Sequence, residues 1–435
     1  MSMMSDRLDD LLTRRAAHTS PTLSILYGKD PIHVVRGSGQ YLYDADGREY
    51  LDCMNNVPHV GHSHPKVTEA ASKQLALVNT NTRFVYEGLV DYAEQLASTL
   101  PAGLEVCYFV NSGSEANELA LRLARAHTKR RGAVVLDGAY HGNTTTLIEH
   151  SPYKFDGRGG GGRPGYVQVA PTPDPYRGKH RGPGSGESYG REVAGAFERA
   201  SASAHPPALL LAESLLGTAG QIEPPAGFLA SAYQAARAAG AVVIADEVQI
   251  GFGRVGTHFW AFDAQGVVPD IVTLGKPIGN GYPLGAVVTT AEIAASFHNG
   301  MEYFNTFGGA PVSCAVGLAV LDVLEREGLQ AGALEVGQYL RAAFLNLGKS
   351  RPVIGDVRGS GLFLGVELVL DRDSPEPATR LTADLIRYLR EHAILASSDG
   401  PDNNVLKIKP PLPFSRGDAD RLIESVDTFL GLQAE

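Results

Sequence analysis

Six short, continuous apolar runs divide the middle of this sequence: VCYFVN (106–111), AVVLD (133–137), ALLLAES (208–214), AVVIADE (241–247), IVTLGK (271–276) and LGAVVTT (284–290). None alternates with polar residues, so each must be covered on both faces, as the strands of a parallel or mostly parallel sheet are. Between them, SEANELALRLARAHTKR (114–130) and PAGFLASAYQAARAAG (225–240) have helical composition and period. The second has a proline near its start and closes on a glycine, as helix boundaries do. This pattern predicts an α/β layered core over 61–318. The flanking segments alternate more weakly, as in QYLYDADGREYLDC (40–53) and GLFLGVELVL (361–370). They predict a smaller α+β domain built from both termini, 1–60 and 319–435. Two glycine-rich stretches, DGRGGGGRPG (156–165) and RGPGSGES (181–188), lack any apolar period and read as a flexible surface excursion.

Composition narrows the partners. With 38 Lys+Arg against 48 Asp+Glu the net charge is −10, which disfavours a nucleic-acid phosphate backbone. No stretch approaches the roughly 18 apolar residues of a membrane span. The opening MSMMSDRLDDLLTRRAAHTS mixes acids and bases without an apolar core, unlike a signal peptide. Cys53, Cys107 and Cys314 make neither a disulfide framework nor a metal-site spacing. A soluble, cytoplasmic chain without a metal is expected.

In such a sheet, ligands collect at the carboxyl ends of strands. AVVIADE ends in Asp246 and Glu247, although an acid there also caps helices or forms salt bridges. IVTLGK ends in Lys276, between Gly275 and Pro277. A lysine following an apolar run and preceding a glycine turn points into the crevice. Desolvated there, its pKa falls, as an amine forming a Schiff base requires. FVNSGSEAN (109–117) reads as strand, turn and helix start, where N–H groups with Ser112 and Ser114 suit a phosphate. A plain serine N-cap accounts for that feature equally well. In DGAYHGNTT (137–145), Tyr140 ends the next strand and is placed to stack on a flat ring. His141 has no second ligand at metal spacing. Together these are the parts of a pyridoxal 5′-phosphate (PLP) site.

The stretches NSGSEANELALRLAR, AYHGNTTTLIEHSPYKF, IADEVQIGFGRVGTHFWAF, PDIVTLGKPIGNGYPLGAVV and YFNTFGGAPVSCAVGLAVLDVLE resemble class III (fold type I) PLP-dependent enzymes. More narrowly they resemble the ethanolamine-phosphate phospho-lyases, with CMNNVPHVGHSHP (53–65), NTNTRF (79–84), PTPDPYRGK (171–179) and NVLKIKPPL (404–412) contributing. The resemblance implies the fold type I transferase architecture, with 61–318 as the PLP-binding domain. It makes Lys276 the PLP lysine and Asp246 the partner of the pyridine nitrogen. It sets Gly113 and Ser114 at the cofactor phosphate, Tyr140 on the ring, Gln249 near the 3′-oxygen and Glu213 as a supporting acid. The resemblance also implies that Thr306 in NTFGG reaches the cofactor phosphate of a neighbouring subunit, so a homodimer or dimer of dimers with shared active sites is expected.

Many class III aminotransferases have E-P-x-x-G-E-x-G where this chain has ESLLGTAG (213–220), and R-x-x-P-P where it has KIKPP (407–411). The second glutamate is thus Thr218, and the carboxylate-binding arginine is Lys407. An arginine fork suits a keto-acid carboxylate better than a lysine point charge. The paired change points to a substrate without an α-carboxylate or to a cycle without a keto-acid acceptor. Phosphate elimination from phosphoethanolamine, which the resemblance implies, satisfies both, with Lys407, Lys29 and Arg83 as candidates for the substrate phosphate. A class III ω-aminotransferase, or a lyase on a phosphorylated hydroxy-amino acid such as 5-phosphohydroxylysine, are the alternatives.

Overall fold

The computed structural model describes residues 2–433 apart from Lys29 and Ser374. Three strands, β1 (Val34–Ser38), β2 (Tyr41–Asp44) and β3 (Glu49–Asp52), precede the central sheet. The central strands are β4 (Val106–Val110), β5 (Gly132–Leu136), β6 (Val167–Ala170), β7 (Pro207–Glu213), β8 (Val242–Asp246), β9 (Ile271–Leu274) and β10 (Gly285–Thr289). Their order is β4-β10-β9-β8-β7-β5-β6. All six apolar runs lie in this sheet. β10 runs antiparallel to both β4 and β9, while the pairs from β9 through β6 are parallel.

Burial on both faces is literal. Leu209 and Leu211 of β7 and Ile244 of β8 pack with Leu119, Ala120 and Leu123 of the helix Gly113–Thr128. The alternate residues Leu210, Ala212 and Val243 face the opposite core, with Val193 and Phe197 of the helix Ser185–Ser201 and Phe228 and Ala232 of the helix Phe228–Ala238. A sheet of this kind has no polar face, which is why its strands show no period of two.

The later strands are β11 (Ile354–Ser360), β12 (Phe363–Leu368), β13 (Ile394–Leu395), β14 (Ser397–Asp399) and β15 (Val405–Ile408). β11-β12-β15-β14 form an antiparallel sheet. β13 crosses to the N-terminal segment and pairs parallel with β3, Ile394 opposite Leu51 and Leu395 opposite Asp52. The N-terminal and C-terminal segments are thus joined by a parallel strand pair. The helix Pro311–Arg326 runs unbroken across position 319 and packs on the helices Pro65–Leu77 and Glu87–Ser98.

One expectation needs correcting. The stretch 181–188 is not wholly an excursion, because the helix Ser185–Ser201 begins inside it with Ser185 and Gly186 buried. A Cβ on Gly186 would stand 2.0 Å from the Ala226 carbonyl oxygen, so the glycine is there for close packing. Residues 157–163 are exposed, as expected. The three cysteines are unpaired, and among the described residues no helix is long and apolar enough to cross a membrane.

Candidate active site

Parallel register sets the acids abreast at the carboxyl edge of the sheet: Glu213 of β7 is opposite Asp246 of β8, and Asp246 opposite Thr273 of β9. Just past β9, Gly275 lies against the start of the helix Gly113–Thr128. A Cβ there would meet Gly113 N at 2.9 Å and its Cα at 3.0 Å, so only glycine lets this strand end approach the helix. Lys276 follows with φ 27°, in the left-handed region, a strained conformation for a residue with a side chain. The result is a cleft of about 360 Å³ lined by Gly113, Ser114, Tyr140, Glu213, Asp246, Gln249 and Lys276.

Asp246 is buried and heavily supported. Its Oδ2 accepts from Asn117 Nδ2 at 2.8 Å and faces His141 Nδ1 at 2.8 Å, and its Oδ1 accepts from Val248 N–H at 3.1 Å. Glu247 turns the other way, accepting from the Ser214 hydroxyl at 2.6 Å and from the N–H groups of Ala261 and Phe262 at 2.9 and 3.2 Å. Of the two strand-end acids, only Asp246 serves the cleft. Glu213 accepts from Gly217 N–H at 2.9 Å, and burial raises its carboxyl to about 7, with Asp246 adding to the shift against His141. Burial pulls the Lys276 amine below the ordinary lysine range, while Asp246 and Glu213 oppose that and Lys407 adds to it.

At the other wall, Ser112 is the helix cap, accepting from Glu115 N–H at 3.1 Å. Ser114 is free of that duty and lines the cleft; its hydroxyl meets Asn143 Oδ1 at 3.1 Å and accepts from Asn143 N–H at 3.2 Å. Tyr140 is not at a strand end, as expected from the sequence, but in the loop beyond β5, set edge-on to Tyr153 with ring centroids 6.0 Å apart.

These residues fit PLP. The buried Oε1 of Glu213 and Nε2 of His141 lack partners, and the first N–H groups of a helix have none within it. A polar heterocycle bearing a phosphate completes such a set. Lys276 would hold it covalently, Asp246 its ring nitrogen, and the helix start with Ser114 its phosphate.

The substrate cations differ from expectation. Lys407 is not free: its Nζ is 3.1 Å from Asp399 Oδ1, because the β14–β15 pairing lays the two chains side by side. Thr218 does not face the cleft opening but donates to the Gly138 carbonyl at 2.8 Å. Arg83 is exposed, pairs with Glu302 at 3.0 Å and stacks over Phe304, outside the cleft. Thr306 is exposed and contributes nothing to this chain's own cleft. Lys29 lies outside the described residues. Sequence reasoning missed four positions. His141 and Asn117 orient Asp246, and both lie inside motifs already quoted. Lys409, two residues past Lys407, is buried and donates to Gln249 Oε1 at 3.0 Å; Asp399 carried no local signal.

The aminotransferase class-III family model matches residues 26–430. A Drosophila melanogaster protein named alanine–glyoxylate aminotransferase 2-like is 50% identical over 416 residues, 94% of this chain and 84% of that protein. Ethanolamine-phosphate phospho-lyase homolog 1 of Caenorhabditis elegans is 44% identical over 438 residues, covering 98% and 94%. A phospholyase from Arthrobacter, solved in complex with phosphoethanolamine, superposes with a TM-score of 0.92 at 42% identity, covering 97% of this chain and 99% of that one. The chain belongs to the class III aminotransferases, PLP-dependent proteins of fold type I.

Proposed function

We propose that this chain is a phospho-lyase converting O-phosphoethanolamine and water to acetaldehyde, ammonia and phosphate. The observation that carries the reading is the lysine pair, Lys407 and Lys409, beside the cleft where a keto-acid-binding arginine fork is expected in an aminotransferase. The likeness to a phospholyase that holds phosphoethanolamine supports it.

PLP, when bound, supplies an electron sink for the substrate carbon that bears nitrogen. Lys276, half-buried and with its amine drawn below the ordinary lysine range, takes the proton from that carbon and later returns one. The electron pair left behind forms a carbon–carbon double bond as the C–O bond to phosphate breaks, and water then replaces nitrogen. Asp246, held in place by Asn117, His141 and Val248 N–H, would pair with the ring nitrogen and hold a proton there. Lys407 and Lys409 neutralise the departing phosphate.

The partner face is proposed with it. Phe84, Val85, Met301, Phe304 and Phe307 are exposed around Thr306. Such an apolar patch supports a second copy of the chain covering it and Thr306 reaching into the partner's site. Three unpaired thiols suit a reducing, cytoplasmic setting.

The test is acetaldehyde and phosphate release from phosphoethanolamine by the purified holoenzyme with no keto acid present. The alanine–glyoxylate aminotransferase 2-like relative favours a second reading, amino transfer from alanine to glyoxylate. Turnover that requires a keto acid and releases no phosphate would establish that reading instead.

A further inference from the structure

Asp399, at the end of β14, binds both lysines. Its Oδ1 meets Lys407 at 3.1 Å, and its Oδ2 meets Lys409 at 3.5 Å and accepts from Gln221 Nε2 at 2.7 Å. Lys407 and Lys409 are two residues apart on β15 and its extended continuation, so both side chains leave the same face. Through Lys409 the cluster touches Gln249, a wall of the cofactor cleft. The next residue, Gly400, donates its N–H to the Thr218 carbonyl at 3.1 Å. The carboxylate missing at position 218 is thus supplied from the adjacent strand.

On the phospho-lyase reading above, we propose that Asp399 is a specificity-determining residue: a resting counter-ion for Lys407 and Lys409 that a phosphate dianion displaces and a monocarboxylate does not. Charge exchange sets the preference. Two ammonium groups share one carboxylate. An incoming monocarboxylate replaces one lysine–carboxylate pair with an equal one, so it gains no charge pairing over the resting state in which Asp399 already holds both lysines. A dianion brings the second charge that two lysines can use, and Asp399 keeps the Gln221 N–H. Burial draws the Lys409 amine down to about 7, and Asp399 is the strongest influence opposing it, so the carboxylate also keeps a cation ready at rest.

The test is calorimetric titration of the holoenzyme with methyl phosphate and with acetate at about pH 7, where a phosphate monoester is chiefly dianionic and the Lys409 amine is still partly protonated. Wild type should prefer methyl phosphate strongly. In Asp399→Asn, acetate should tighten by about tenfold and methyl phosphate by about threefold or less, narrowing the ratio. Asp399→Glu should keep the wild-type ratio. If Asp399→Asn fails to load cofactor, Asp399→Ser makes the same comparison. An unchanged ratio in a folded, cofactor-loaded variant overturns the inference. Acetaldehyde release by wild type is followed separately: its absence removes the phospho-lyase reading, and the anion ratios still decide the role of Asp399.

Discussion

Replacing Lys409 by methionine should make the protein more stable at neutral pH. Lys409 is 4% exposed, and burial is the largest influence on its amine, drawing it from 10.5 to about 7 against the pull of Asp399. At about 1.36 kcal/mol per pH unit, that difference makes the protonated amine roughly 5 kcal/mol worse off in the fold than in the unfolded chain. Relaxation around a buried charge reduces such figures, and we expect about 2–3 kcal/mol to be recovered by a methionine of similar length. The substitution strands no partner: Asp399 keeps Lys407 and Gln221, and Gln249 Oε1 keeps Asn56 Nδ2 at 3.3 Å. The sign follows from proton counts. Between the folded value near 7 and the unfolded 10.5, the unfolded chain holds more protons, so wild-type stability rises with pH across that window. The methionine advantage is therefore full below about pH 7 and fades toward pH 10. Thermal melts of cofactor-free protein, which avoid stabilisation by bound ligand, should show the variant melting about 2–5 °C higher at pH 7. A variant that melts lower at pH 7, or a gap that stays constant to pH 9.5, would refute the reasoning.

Asp246→Asn should retain cofactor, read by its absorbance, yet lose about 100-fold or more in kcat, because an amide cannot hold a ring proton as a carboxylate does. Lys407→Ala should lower kcat/KM for phosphoethanolamine by about 10–100-fold, with unchanged cofactor absorbance; no change would move the substrate phosphate elsewhere. Mixing an inactive Lys276→Ala chain with an inactive Thr306 variant should restore part of the activity in hybrids, and hybrids without activity would confine Thr306 to its own subunit.

The central sheet was legible because strands covered on both faces cannot hide their composition. β6 escaped, being four residues at the sheet edge with Gln168 and Val169 only half buried. The direction of β10 was invisible, since LGAVVTT has the same apolar character whichever way it runs. The cleft was readable where its residues lie at a strand end or a helix start, as Glu213, Asp246, Lys276 and Gly113 do, whereas Tyr140 lies in the loop beyond β5. The cation cluster was not. Whether Lys407 is free depends on Asp399, which a hairpin brings alongside, and nothing in the local sequence of either residue announces that pairing.

The pairing of β3 with β13 has a temporal consequence. Leu51 emerges more than 300 residues before Ile394, yet each completes the other's ladder. The same two regions meet behind the cleft, where Gln249 takes Asn56 from one and Lys409 from the other. A nascent chain can therefore assemble its central strands long before it has a finished site. Until β13 arrives, β3 presents an open edge of the kind that recruits other chains. Translation of residues 394–409 is thus the step that both seals that edge and brings Lys409 to Gln249.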